Sequence, residues 1–341
     1  MTFLHLLVIV LLASTVYTSH EQHTSPVQLS TPKKELRWGR TRFHMKMRVA
    51  TDNPRCPTKL KFKLIERGTP GTDSHRLFYE TQHGIISPLH DIPLFASMQD
   101  KVFNMIVEVP SMQDDKWELS LGEYLNPLRR QDCHLHNLYM WNYGSFPNTY
   151  ENPDESDYFT GKGGDGAPID VIDIGEKQMK RGQVVRVKVL GVLGLISKQK
   201  IDWKIIAINI NDTNAARLND ADDVHKHFPG YLNSTVEWFQ HYNVPDGRAL
   251  NRIALKGQVR GSKFAWKVIE KAMQKWILMA MARVKHPAVC MVNTISGKDE
   301  SEFKIPFEEA KRVLYNGAIP SVLLTTTPPS TTDTTHLQTV P

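Results

Sequence analysis

A mainly β domain with flanking α-helices is what this sequence predicts, and three observations carry the expectation. Two β-branched runs with alternating character, VVRVKVLGVLGLI from Val184 and WKIIAINI from Trp203, read as strands of a closed or strongly curled sheet. The segments from Asp222 to Tyr242 and from Ser262 to His286 read as helices. In the second, Ala265, Ile269, Met273, Trp276 and Ala280 fall on one stripe at helical spacing, the pattern of core packing.

Taken in order, the chain opens with an apolar run, FLHLLVIVLLA, followed by small and polar residues, so residues 1–19 are expected to be a cleaved signal peptide. The run is shorter than the ~20 residues of a membrane span, and no stable membrane anchor is expected. Residues 20–35 are polar and read as a flexible arm. Residues 36–320 would form the folded domain. Residues 321–341 are rich in Thr and Pro and cannot bury a core, so they read as a disordered, O-glycosylated tail. Two acceptor triplets, at Asn211 and Asn233, agree with the leader in suggesting a secreted or luminal glycoprotein.

With 341 residues and 40% apolar content, the chain can bury an ample core. Its formal net charge of +6 would suit an anionic ligand, but the Lys and Arg residues are scattered, which argues against nucleic acid. Three cysteines, Cys56, Cys133 and Cys290, permit one disulfide at most and show no zinc spacing.

The stretch with chemistry in it is GKGGDGAPIDVIDIG, from Gly161 to Gly175. It reads as an acidic turn feeding a strand. Gly163, Gly164 and Gly166 permit a tight backbone, while Val171, Ile172 and Ile174 favour extension. Strand alternation turns Asp170 away from Asp173, so Asp165 and Asp170 can converge only through the turn. Carboxylates gathered on such a turn are hard oxygen ligands that suit magnesium. A polar Gly-Asp turn at a strand entrance is the commoner meaning of such a stretch.

Around this stretch stand FHMKMRV, PLHDIPLF, VFNMIVEVP, DKWE and WNYGSFPNTYENP upstream. Downstream come DWKIIAININD, HFPG and EWFQHYNVPDG. In this order they resemble the family I soluble inorganic pyrophosphatases of the eukaryotic type, from roughly Trp38 to Met281. The resemblance implies an OB-like five-stranded β-barrel flanked by helices, with the site at the barrel mouth. It also implies Mg²⁺ as cofactor, pyrophosphate or phosphate as ligand, and hydrolysis of pyrophosphate to two phosphates. Relatives commonly pair, so a homodimer is an implied partner, although no patch in the sequence marks an interface.

Carried over by motif, the metal ligands would be Asp165, Asp170, Asp202 and Glu118. Lys116, Tyr143, Lys204 and Tyr242 would bind phosphate, with Glu108 and Tyr139 as further cavity residues. The family arginine would be Arg129 or Arg130. Three departures stand out. Ala167 occupies the place of the family aspartate that deprotonates the attacking water, Ser197 that of a metal-binding aspartate, and Asn243 that of a lysine on phosphate. The resulting expectation is a secreted homologue that binds but hydrolyses weakly or not at all. Two alternatives are an active enzyme, compensated by a nearby acid such as Asp173 or by a metal-bound hydroxide, and an extracellular glycoprotein that keeps only the scaffold.

Overall fold

The computed structural model describes residues 61–134, 137–283, 288–296 and 301–316. They fall within one of two contact units, Arg48–Pro341; the other, Met1–Met47, lies outside the described residues. The leader, the arm, the FHMKMRV motif, Cys56, the side chain of Cys133 and the Thr/Pro tail also lie outside them.

The described residues open with β1 (Phe62–Arg67), β2 (Arg76–Thr81) and β3 (Gly84–Ile86), then a single turn α1 (Pro88–Asp91), whose His90 amide is capped by the Ser87 side chain. Next come β4 (Phe95–Ser97), β5 (Val102–Val109), β6 (Asp115–Leu119), β7 (Leu128–His134) and β8 (Asn142–Ser145). The Gly-rich stretch supplies a two-residue β9 (Gly163–Gly164) and β10 (Asp170–Asp173), as an acidic turn feeding a strand should. The two long β-branched runs become β11 (Val184–Ser197) and β12 (Lys200–Asn209). Helices then dominate: α2 (Ala221–His227), α3 (Tyr231–His241), α4 (Ser262–Ala280) and α5 (Phe307–Asn316).

Five strands form a closed hydrogen-bonded circuit. β11 pairs β12, β12 pairs β10, β10 pairs β8, β8 pairs β5, and β5 returns to β11. Closure is possible because β11 has 14 residues: its first part pairs β5 while most of its length pairs β12, with a bulge between Val189 and Gly191. Gly144 on β8 is required by the tightness of this ring, since a Cβ there would lie 1.8 Å from the Ile106 carbonyl oxygen. A second sheet runs in the order β1-β2-β7-β6 with β3 on β2.

Both faces of the central strands are covered. One face, with Val171, Ile201, Trp203 and Ile205, packs with Ala265, Ile269 and Met273 of α4. The predicted stripe therefore meets the core, and its continuation, Trp276 and Ala280, packs against a neighbouring cluster around Leu89 and Met279. The opposite face carries Ile172, Ile206 and Ile208 against α2 and α3. By alternation it also carries Asp170, Asp202 and Lys204.

Two helix expectations are corrected. The single helix expected from Asp222 to Tyr242 is two helices, because Pro229 lacks an amide donor and Gly230 turns left-handed at φ +85°. The helix expected to reach His286 ends at Ala280, with Ala282 at φ +53° in the turn that follows.

Candidate functional site

The site grows from the end of that second strand face. Asp170 on β10 sits beside Lys204 on β12 in the parallel register. Two residues earlier on β12, Asp202 projects from the same face. Lys204 Nζ lies 2.6 Å from Asp202 Oδ2 and 3.1 Å from the Tyr143 hydroxyl, and it also contacts Asp170 Oδ2 directly. Tyr143 donates to that same Asp170 oxygen. Burial opposes the charge on Lys204, but Asp170 and Asp202 outweigh it and hold the ammonium protonated well above its ordinary range. Burial pushes the Asp202 carboxyl up to about 6, with Lys204 restraining the rise.

These groups line a cavity of about 810 Å³. Asp165 enters it from the Gly-rich turn and stays open to solvent at its mouth. Protein surrounds its carboxyl closely enough that lost hydration, and then the charges of Asp202 and Asp170, push it up to about 8. The turn is held by Ala167, whose amide donates to Asp165 Oδ1 at 3.0 Å and whose carbonyl accepts from the Glu151 amide at 2.8 Å.

Glu151 is a site residue the sequence reading passed over, although it lies in the quoted run NTYENP. It is buried, and its Oε1 accepts from the Trp203 amide at 3.2 Å. One oxygen each from Glu151, Asp165 and Asp202 lie within 4.8 Å of one another. Glu151 Oε2 and Asp202 Oδ1 are buried with no hydrogen-bond partner. Burial first, then Asp165 and Asp202, raise the Glu151 carboxyl well above its usual range. Three crowded carboxylates with two orphaned oxygens form a donor set that fits a hard divalent cation, which would satisfy both oxygens and relieve the mutual repulsion.

The rest of the predicted set divides between the walls. Glu118 and Lys116 project from one face of β6, 3.3 Å apart, and Gln131 donates to Glu118 at 2.6 Å. Both line the cavity outside the Glu151 group. Glu108 is buried and accepts from Ser145 at 2.8 Å; burial and then Asp170 push it up to about 8. Tyr139 packs on Tyr143 at 4.9 Å, and Tyr242 stacks on Trp238 at 5.3 Å. Both tyrosines line the cavity. Of the two candidate arginines, Arg129 lines it, with a buried Nε lacking a partner, while Arg130 donates to Asp115 at 2.9 Å.

Ala167 and Asn243 line the cavity too, whereas Ser197, at the end of β11 before the Lys198–Gln199 turn, is not among its lining residues. Asp173, the acid named as a compensating base, is corrected. It is fully buried away from the cavity and accepts from the Asn209 and Gly175 amides at 2.8 and 3.1 Å and from the Asn142 side chain at 3.2 Å. Strand alternation is the reason, as it points Asp173 opposite to Asp170. Arg248, not singled out in the sequence, also lines the cavity.

Comparison with known proteins bears on this geometry. A family model described as "Inorganic pyrophosphatase" matches residues 105–277. An inorganic pyrophosphatase of Drosophila melanogaster is 40% identical over 264 residues, covering 74% of this chain and 78% of the relative. Among solved structures, the inorganic pyrophosphatase of Schistosoma japonicum aligns with a TM-score of 0.69 and 36% identity, covering 71% of this chain and 90% of that one. A truncated vacuolar soluble pyrophosphatase of Trypanosoma cruzi in complex with PPi aligns with a TM-score of 0.62 and 34% identity, covering 66% and 93%.

Proposed function

Because this chain belongs to the inorganic pyrophosphatase family, we propose that it is an exported, magnesium-dependent diphosphate-binding member whose hydrolysis is weak or absent. The carrying observation is Ala167. It stands in the cavity wall with its backbone tied to Asp165 and Glu151, and its methyl group offers neither lone pair nor charge where a water must lose its proton.

Asp165, Asp202 and Glu151 would hold Mg²⁺, with Asp170 and Glu118 on the adjoining walls. When bound, such an ion neutralises a highly charged diphosphate and makes a nearby water more acidic. Lys116 and Tyr242 present donors to phosphate, while the Tyr143 hydroxyl donates to Asp170. Lys204 keeps Asp170 and Asp202 in place and stays cationic through neutral pH. What the chain lacks is the proton acceptor. A positioned general base is worth roughly 10²- to 10⁴-fold, about 3 to 5 kcal/mol of barrier. Binding loses less than turnover, because the carboxylates, lysines and tyrosines that face the ligand remain.

Export rests on the apolar leader and the two acceptor triplets. The deciding experiment is phosphate release from pyrophosphate by the purified mature chain, with magnesium and again with manganese. Slow or absent release together with calorimetric pyrophosphate binding supports the reading. Turnover at the pace of ordinary family members would refute it, and absence of binding at millimolar ligand would leave a scaffold alone.

A further inference from the structure

We propose that Arg248 is a phosphate-binding residue of this cavity, supplying the positive charge that Asn243 lacks and gripping a terminal phosphate of the diphosphate; this rests on the reading of the site given above. Asn243 is buried in the cavity wall, and its amide is short and neutral. The chain leaves it through a 3₁₀ turn, Val244–Asp246, closed by Gly247 at φ +75°, whose amide donates to the Val244 carbonyl at 2.9 Å. The next amide, that of Arg248, donates back to the Asn243 carbonyl at 3.4 Å. This closure returns the backbone of residue 248 to the side of residue 243, so a long side chain from Arg248 serves the same wall.

The charges around the cavity point the same way. Lys204 is committed to Asp170 and Asp202, Lys116 lies 3.3 Å from Glu118, and Arg129 lies 4.0 Å from Glu123. Arg248 lines the same cavity and makes no ion pair or side-chain hydrogen bond among the described residues. Its guanidinium is therefore available to an incoming anion, and its planar fork matches two phosphate oxygens as an ammonium cannot. The left-handed Gly247 closes the turn that carries it, and the exposed position of Arg248 lets it engage ligand without first breaking a contact.

The test is titration calorimetry of the mature full chain with pyrophosphate and Mg²⁺. Arg248→Ala should weaken affinity about tenfold to a hundredfold, the scale of one charge-assisted pair. Arg248→Lys should lose less. Adding Asn243→Lys to the Arg248→Ala variant should restore most of the affinity, by returning the cation to the neighbouring backbone position. Because Arg248 is exposed, the melting temperature of the ligand-free Arg248→Ala and Arg248→Lys chains should stay at that of the parent. Parent-like affinity in Arg248→Ala would overturn the proposal while leaving the diphosphate-binding reading standing. A parent chain that binds no pyrophosphate would overturn both.

Discussion

The amide of Ala167 donates to the Asp165 carboxylate at 3.0 Å, so the acidic turn is formed with a methyl group in its cavity wall. Backbone geometry is thus in place for a longer acid. Substituting Ala167→Asp should raise magnesium-dependent phosphate release by about 10²-fold or more, the low end of what a positioned base supplies. Phosphate assay of the variant beside the parent checks this. An unchanged rate in an already active parent would show that another group accepts the proton.

The carboxylate group of Glu151, Asp165 and Asp202 should make stability depend on pH and metal together. Asp165 is pushed up to about 8 and Asp202 to about 6, and Glu151 is raised as well. Unfolded, such groups titrate near pH 4. Between about pH 4 and 8 the folded chain therefore holds more protons than the unfolded one, and these groups' contribution to stability falls as pH rises. A divalent cation competes with those protons. The gain in melting temperature from added Mg²⁺ should grow from pH 5.5 to pH 8, and Asp165→Asn should flatten that growth in scanning calorimetry.

Asp91 clamps a distant segment to α1. Its two oxygens accept from the amides of Ser87, Thr294, Ile295 and Ser296 at 2.7 to 3.0 Å. It is buried, so Asp91→Ala would strand four amide donors. The variant should lose about 3 kcal/mol or more in denaturant unfolding. Asp91→Asn keeps part of the acceptor capacity and should lose less.

The two acceptor triplets differ in setting. Asn211 is exposed in the turn after β12, whereas Asn233 lies on α3 and the Thr235 hydroxyl of its triplet donates to the Tyr231 carbonyl at 3.0 Å. Expressed in a secreting cell, the chain should shift in electrophoretic mobility on N-glycosidase treatment, and Asn211→Gln should remove part of that shift. A full-length product retained in the cytosol without any shift would count against export.

Particular residues show how far the sequence could be read. Asp165, Asp170, Asp202 and Lys204 stand in short motifs with fixed local spacing, and all four meet in the cavity. Glu151 has no such local signature. Its role arises because the Trp203 amide and the Ala167 carbonyl hold it from two other segments. The choice between Arg129 and Arg130 also needed the sheet, since neighbouring strand residues face opposite ways and the register of β7 on β6 decides which of them meets the cavity. The break at Pro229 and Gly230 was visible as letters but was overridden by the helical periodicity on either side.

By itself the sequence determined the mainly β architecture, the apolar stripe of α4, and the short motif that carries Asp165, Ala167 and Asp170, because each is local in the chain. Only the tertiary structure decided which carboxylates share a cation-sized space, that Asp173 is turned away from it, and that Arg248 stands beside Asn243. Charges and ligand geometry depend on distances between segments far apart in sequence, and those distances exist only once the strand circuit has closed.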